Sequence, residues 1–161
     1  MRDHTIKNLD LSAIAHQAMI DAGFVPDEPD SVSAELRSLE SRPAVADDYV
    51  TRDLRTLLWS SIDDRASRDL DQVEYAERLP NGDICVRVGI ANVDALVRKG
   101  SAIDSHAAEN GTSVYTGVRT FPMLPEQLST DLTSLVGGED RSSIVTELTI
   151  TSNGTVTSTD V

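Results

Sequence analysis

Four aspartates fall within one short stretch, Asp63-Asp64-Arg65-Ala66-Ser67-Arg68-Asp69-Leu70-Asp71, with Gln72 directly after it. Carboxylate oxygens converging on one point are what a hard divalent cation such as Mg²⁺ requires. One or two such ions can support in-line attack on a phosphodiester. A loop leaving a strand can fold back to bring Asp63 near Asp69 and Asp71, and the last two share a face if the chain is extended. Acidic residues number 27 in this chain, so some clustering arises by chance. Spacing alone leaves two readings, a solvated acidic loop and a metal site, and weights the first more heavily. An EF-hand does not fit, because no acids at positions 1, 3 and 5 precede a glycine at 6 and a later glutamate.

The other reactive residue types carry less. His4, His16 and His106 are scattered without metal-ligand spacing, the serines lack a nucleophile motif, and no glycine-rich phosphate loop occurs. Cys85 is the single cysteine, which excludes an internal disulfide; in a strand-like segment it reads as a small buried hydrophobe. A lone tyrosine in a strand, such as Tyr115, is more often packing than a base platform. The net charge of −13, from 14 basic and 27 acidic residues, speaks against nucleic-acid binding in general. It does not exclude a local basic groove. No stretch is apolar for 18 residues, so no membrane span is expected, and Met1-Arg2-Asp3-His4 lacks the apolar run of a signal peptide. A cytoplasmic protein is the simplest expectation.

The elements that would position the acidic loop are legible around it. Residues 9–22 form an expected helix, with Leu11, Ile14, Ala15, Ala18, Met19 and Ala22 on one face and Gly23 at its end. A second helix is expected over Ser31–Ser41, followed by a connector with Arg42-Pro43 and Asp47-Asp48. Leu57 to Ile62 reads as a buried strand leading into the loop. After the loop, Val73–Glu77 alternates as a strand, Pro80-Asn81-Gly82-Asp83 signals a type I′ hairpin, and Ile84, Val86, Val88 and Ile90 alternate in the return strand. The hairpin can therefore hold the loop rigidly. Ser101-Ala102-Ile103-Asp104 starts a helix with a capping-box pattern, and Asn110-Gly111 ends it. Thr112–Thr116 reads as a short strand, Glu126–Leu135 as a helix stopped by Gly137-Gly138, and Ser143–Thr151 as a strand. Asn153-Gly154 turns that strand so that Thr155–Thr157 pairs back. The fold class is α+β: mixed or antiparallel strands and hairpins with covering helices.

In this setting the loop resembles the signature of the ribonuclease II (RNB) family, an Asp followed six residues later by an Asp-x-Asp-Asp group. Val88-Gly89-Ile90-Ala91-Asn92-Val93, Gly100-Ser101-Ala102-Ile103-Asp104, Ser113-Val114-Tyr115 and Phe121-Pro122-Met123-Leu124-Pro125-Glu126-Gln127-Leu128-Ser129 follow in the family's order. The resemblance covers roughly residues 50–155. It divides the chain into a helical lead-in, 1–46, similar to that of shorter bacterial members without cold-shock domains, and the N-terminal half of an RNB domain, 47–161. It implies 3′→5′ hydrolysis of single-stranded RNA to nucleoside 5′-monophosphates with Mg²⁺, or alternatively Mn²⁺. By position, Asp63, Asp69 and Asp71 fall on the catalytic and metal-binding carboxylates, and Tyr115 on the aromatic that stacks on a base near the RNA 3′ end. Three departures stand out. Gln72 occupies the place of a fourth carboxylate, so it would ligate through an amide oxygen and bring no charge. Asn92 replaces a common Asp. The remainder of the family's domain, with a catalytic arginine and much of the RNA channel, lies beyond this sequence. The resemblance thus implies an exoribonuclease acting within a complete domain. The alternative is a non-catalytic remnant binding RNA or protein. The expected partners are single-stranded RNA and either the remaining half of the domain or a protein covering the apolar face it would leave exposed.

Overall fold

The computed structural model describes residues 9–40, 51–65 and 67–161. The expected connector at Arg42-Pro43 and Asp47-Asp48, and with it the boundary between 1–46 and 47–161, lies outside the described residues, as do His4 and Ala66. No described helix is long and apolar enough to cross a membrane. The chain forms two compact units. One takes the described residues up to Glu40 with Lys99–Pro125; the other takes those from residue 51 to Arg98 with Glu126–Val161.

In the first unit, helix α1 (Leu11–Asp21) is capped by Asp10, whose side chain accepts from the Ala13 amide. Its apolar stripe is only partly used: Met19 is buried, whereas Leu11 and Ile14 stand exposed. Helix α2 (Asp30–Glu40) buries Val32 and Leu39. Helix α3 (Ala102–Asn110) follows the capping pattern, with Ser101 Oγ accepting from the Asp104 amide, and ends at Gly111 in the left-handed region at φ 69°. The buried α3 face carries Ile103 and His106. Glu35 of α2 accepts from the Ile103 amide at 2.9 Å, satisfying a helix-start donor from another element. Asn110 clasps both backbone groups of Val25 and turns its amide to His106 Nε2. His106 is therefore a helix-packing residue, and His16 pairs with Asp27. A two-stranded hairpin, β3 (Val114–Tyr115) with β4 (Thr120–Phe121), completes this unit.

The second unit is built on one antiparallel sheet. Strand β1 (Gln72–Arg78) pairs with β2 (Ile84–Ala91), β2 pairs with β5 (Ser143–Ile150), and β5 pairs with β6 (Val156–Asp160). One sheet face carries the buried Cys85, Gly89 and Ala91 and the ion-paired Arg87. On the other face Ile90 and Ile144 lie opposite each other in register and are about half exposed. At Gly89 the strands pack tightly, and a Cβ there would stand 3.2 Å from Val73 Cγ2.

Three local expectations are corrected. The β1–β2 turn is not type I′. Leu79 and Asp83 flank a three-residue loop, closed by the Leu79 amide to the Asp83 carbonyl and the Gly82 amide to the Leu79 carbonyl. Only Gly82 of the three takes positive φ, so Asn81 is spared the strain. Leu57–Ile62 is not a buried strand: a single bridge, Ser60 to Glu74, ties it to β1, and Leu58 and Ile62 are 88% and 89% exposed. Leu57 and Trp59 are half-buried. Trp59 makes specific contacts. Its indole N–H donates to the Leu54 carbonyl and its ring meets Tyr75 edge-on. The Glu126–Leu135 helix shortens to a turn whose π-helical part is Leu128–Leu132. Leu128 is fully buried, and the Thr133 amide reaches back to its carbonyl, five residues away.

Candidate active site

The acidic loop is closed at its base by the Ser60–Glu74 bridge, whose two backbone bonds measure 2.9 and 2.7 Å. Inside it, the Ser67 amide bonds the Asp64 carbonyl in a tight turn. The segment carrying Asp69 and Asp71 is fastened by its backbone. The Leu70 amide donates to Ser134 Oγ, which itself donates to the Arg68 carbonyl. The Leu135 amide donates to the Leu70 carbonyl, and the Ala91 amide to the Asp71 carbonyl, extending the sheet ladder past β1. The carboxylates take no part in these bonds, and Asp63, Asp69 and Asp71 are all exposed. Arg65 and Arg68, also exposed, place positive charge in the same loop.

By chemistry this donor set suits a hard dication. By geometry it is not assembled: among the described residues no three His, Cys, Asp or Glu groups are gathered closely enough to hold a metal ion. The expected convergence of Asp63, Asp69 and Asp71 is therefore not seen as a ready-made site. Backbone anchoring fixes the path of the segment that carries Asp69 and Asp71. Gln72, expected as a ligand through its amide oxygen, uses its amide N–H on Glu74 Oε1 at 2.5 Å. The second oxygen of Glu74 is buried with no hydrogen-bond partner. Asn92 secures the end of β2, its amide and side chain both donating to Ser142.

Tyr115 lies in the other unit, on β3, with its ring 69% exposed, as a stacking surface requires. On the sheet, Arg87 is 14% exposed and holds Glu77 at 2.8 Å and Glu147 at 2.6 Å, with its guanidinium over the Tyr75 ring. These bonds, Glu77 first, raise its pKa further. The sequence singled out neither this cluster nor Ser134. A serine in a predicted helix gives no local sign of a partner 66 residues away.

Known proteins resemble this chain in sequence and in fold. The chain is 38% identical to ribonuclease R of Thermotoga maritima over 133 residues, which is 83% of this chain and 19% of that protein. It is 33% identical to exoribonuclease 2 of Vibrio cholerae over 72% of this chain and 18% of that one. Among solved structures, Mycoplasma genitalium RNase R in complex with double-stranded RNA superposes with a TM-score of 0.82 at 30% identity. That superposition covers 94% of this chain and 27% of the other. The chain thus spans roughly a fifth to a quarter of the relatives it matches. Its α+β architecture matches part of the RNase R structure, and with residues 51–161 matched by the RNB domain model, the chain belongs to the RNB domain family.

Proposed function

We propose that this chain is the N-terminal part of a 3′→5′ exoribonuclease that hydrolyses single-stranded RNA to nucleoside 5′-monophosphates when its RNB domain is complete. The observation that carries the reading is the family match over 51–161, which includes the whole acidic loop. Asp63, Asp69 and Asp71 serve as the catalytic carboxylates, held on a backbone tied to Ser134, Leu135 and Ala91. Mg²⁺, or Mn²⁺ in its place, is the ion their oxygen chemistry selects; bound, it would offset charge at the scissile phosphate. Tyr115 offers its exposed ring to an RNA base, a contact of about 1–3 kcal/mol without sequence preference. Single-stranded RNA and the remainder of the RNB domain are the proposed partners, and the cytoplasm the proposed location.

The test compares a complete RNB protein carrying this segment with its Asp71→Asn variant. Hydrolysis of end-labelled RNA with Mg²⁺ should be abolished while RNA affinity stays within a fewfold, because binding is spread along the strand. Equal loss of rate and affinity would reject the catalytic assignment. The 161-residue chain alone should show no processive degradation, since its 14 basic against 27 acidic residues give little long-range attraction for phosphate. Gln72, standing where the family pattern has a fourth carboxylate, favours a second reading, a non-catalytic module that binds RNA or protein. A complete parent protein that binds RNA and releases no mononucleotide would select it.

A further inference from the structure

We propose that Ser134 is the positioning residue of the acidic loop, an inference that rests on reading that loop as the active site. Ser134 is 1% exposed, among the most buried side chains described. A buried hydroxyl must find partners for both its donor and acceptor capacity. Ser134 finds both on the loop: it donates to the Arg68 carbonyl at 2.8 Å and accepts from the Leu70 amide at 3.1 Å. These two backbone groups bracket Asp69. The next residue, Leu135, takes the Leu70 carbonyl at 2.7 Å. Both polar backbone groups of Leu70 are thereby used up, and Asp69 and Asp71 leave it on either side as exposed carboxylates.

The π-helical turn sets this up. Thr133 closes it twice on the Leu128 carbonyl, through its amide and its hydroxyl, both at 3.0 Å. With Leu128 fully buried and Thr133 7% exposed, the turn is anchored. The chain leaving it presents Ser134 to the loop rather than to the next helical carbonyl. A site works only when its side chains stand on a backbone held by a second set of contacts, and Ser134 supplies that set without touching a carboxylate. Its bonds end on Arg68 and Leu70, so its loss should be felt at the loop first.

The experiment uses the 161-residue chain, its Ser134→Ala variant and a Ser134→Cys variant that keeps a weak donor and acceptor. Amide hydrogen exchange is followed by NMR, Mn²⁺ affinity by paramagnetic broadening of the loop resonances, and global stability by urea unfolding. In Ser134→Ala, Leu70 exchange should rise by about tenfold, the cost of one orphaned amide. The β2 and β5 amides should hold their protection within about twofold. Mn²⁺ affinity should fall by about fivefold, the scale of one lost neutral hydrogen bond. Ser134→Cys should lie between the two in both respects, and it carries the comparison if Ser134→Ala does not fold. Unchanged Leu70 exchange overturns the proposal. So does loosening spread equally over β2 and β5, or unchanged Mn²⁺ affinity despite faster Leu70 exchange. A parent chain that binds no Mn²⁺ tells against the metal-site reading, and Leu70 exchange then decides the role of Ser134 alone.

Discussion

Replacing Gln72 with aspartate restores the fourth carboxylate of the family pattern, and the structure dictates what that costs. Gln72 Nε2 donates to Glu74 Oε1 at 2.5 Å, and the other oxygen of Glu74 is buried without a partner. Both residues start β1 and point to the same sheet face, two apart. Gln72→Asp removes a charge-assisted hydrogen bond, a loss of about 1–2 kcal/mol at a half-exposed site. It also sets a second negative charge beside Glu74, adding roughly 1 kcal/mol of repulsion in a water-like dielectric. The variant should therefore be destabilised by about 2 kcal/mol in metal-free buffer near neutral pH. If the loop takes a dication, the added charge raises its affinity, and Mg²⁺ should stabilise Gln72→Asp more than the parent. The assay is urea unfolding of both proteins near neutral pH, with and without Mg²⁺. A variant as stable as the parent in metal-free buffer at neutral pH would refute the reasoning. It would mean that the Gln72–Glu74 bond carries no net energy.

Other outcomes follow from the same geometry. Arg87→Met should lower stability by about 1–2 kcal/mol, measured by urea unfolding, because Glu77 and Glu147 lose a shared partner yet keep partial access to water. The Arg55 guanidinium holds the Asp53 carboxyl well below the usual carboxylate range. Its folded pKa is depressed, so the stabilising contribution is present above the unfolded value of about 3.9 and is lost as pH falls through the folded one. NMR titration should show the Asp53 carboxyl still ionised when other exposed aspartates have protonated, and Arg55→Gln should abolish the difference. Burial pushes the Cys85 thiol up, so a thiol reagent should label it only slowly near neutral pH and rapidly in urea. Fast labelling of the folded chain would contradict the packing of that sheet face.

What the sequence determined by itself is what short-range patterns control. Alternation placed β1 and β2, the Ser101 and Gly111 caps bounded α3, and the acidic loop with the ordered motifs after it carried the resemblance to the RNB family. Each of these signals lies within a few residues of the structure it specifies. Tertiary structure decided the remainder. Leu57-Leu58-Trp59 looks like a buried run, but Leu57 and Trp59 are only half-buried, Trp59 against Tyr75, and Leu58 and Ile62 stay in solvent. A helix was expected at Glu126–Leu135, yet Ser134 gains more from the Arg68 and Leu70 backbone than from another helical turn. Gln72 lies where a metal ligand was expected, and the fold turns its amide N–H onto Glu74. These choices depend on which donor meets which acceptor across as many as 66 residues of chain. Local propensity cannot encode such pairings, because a buried polar group is satisfied by whatever the fold brings to it.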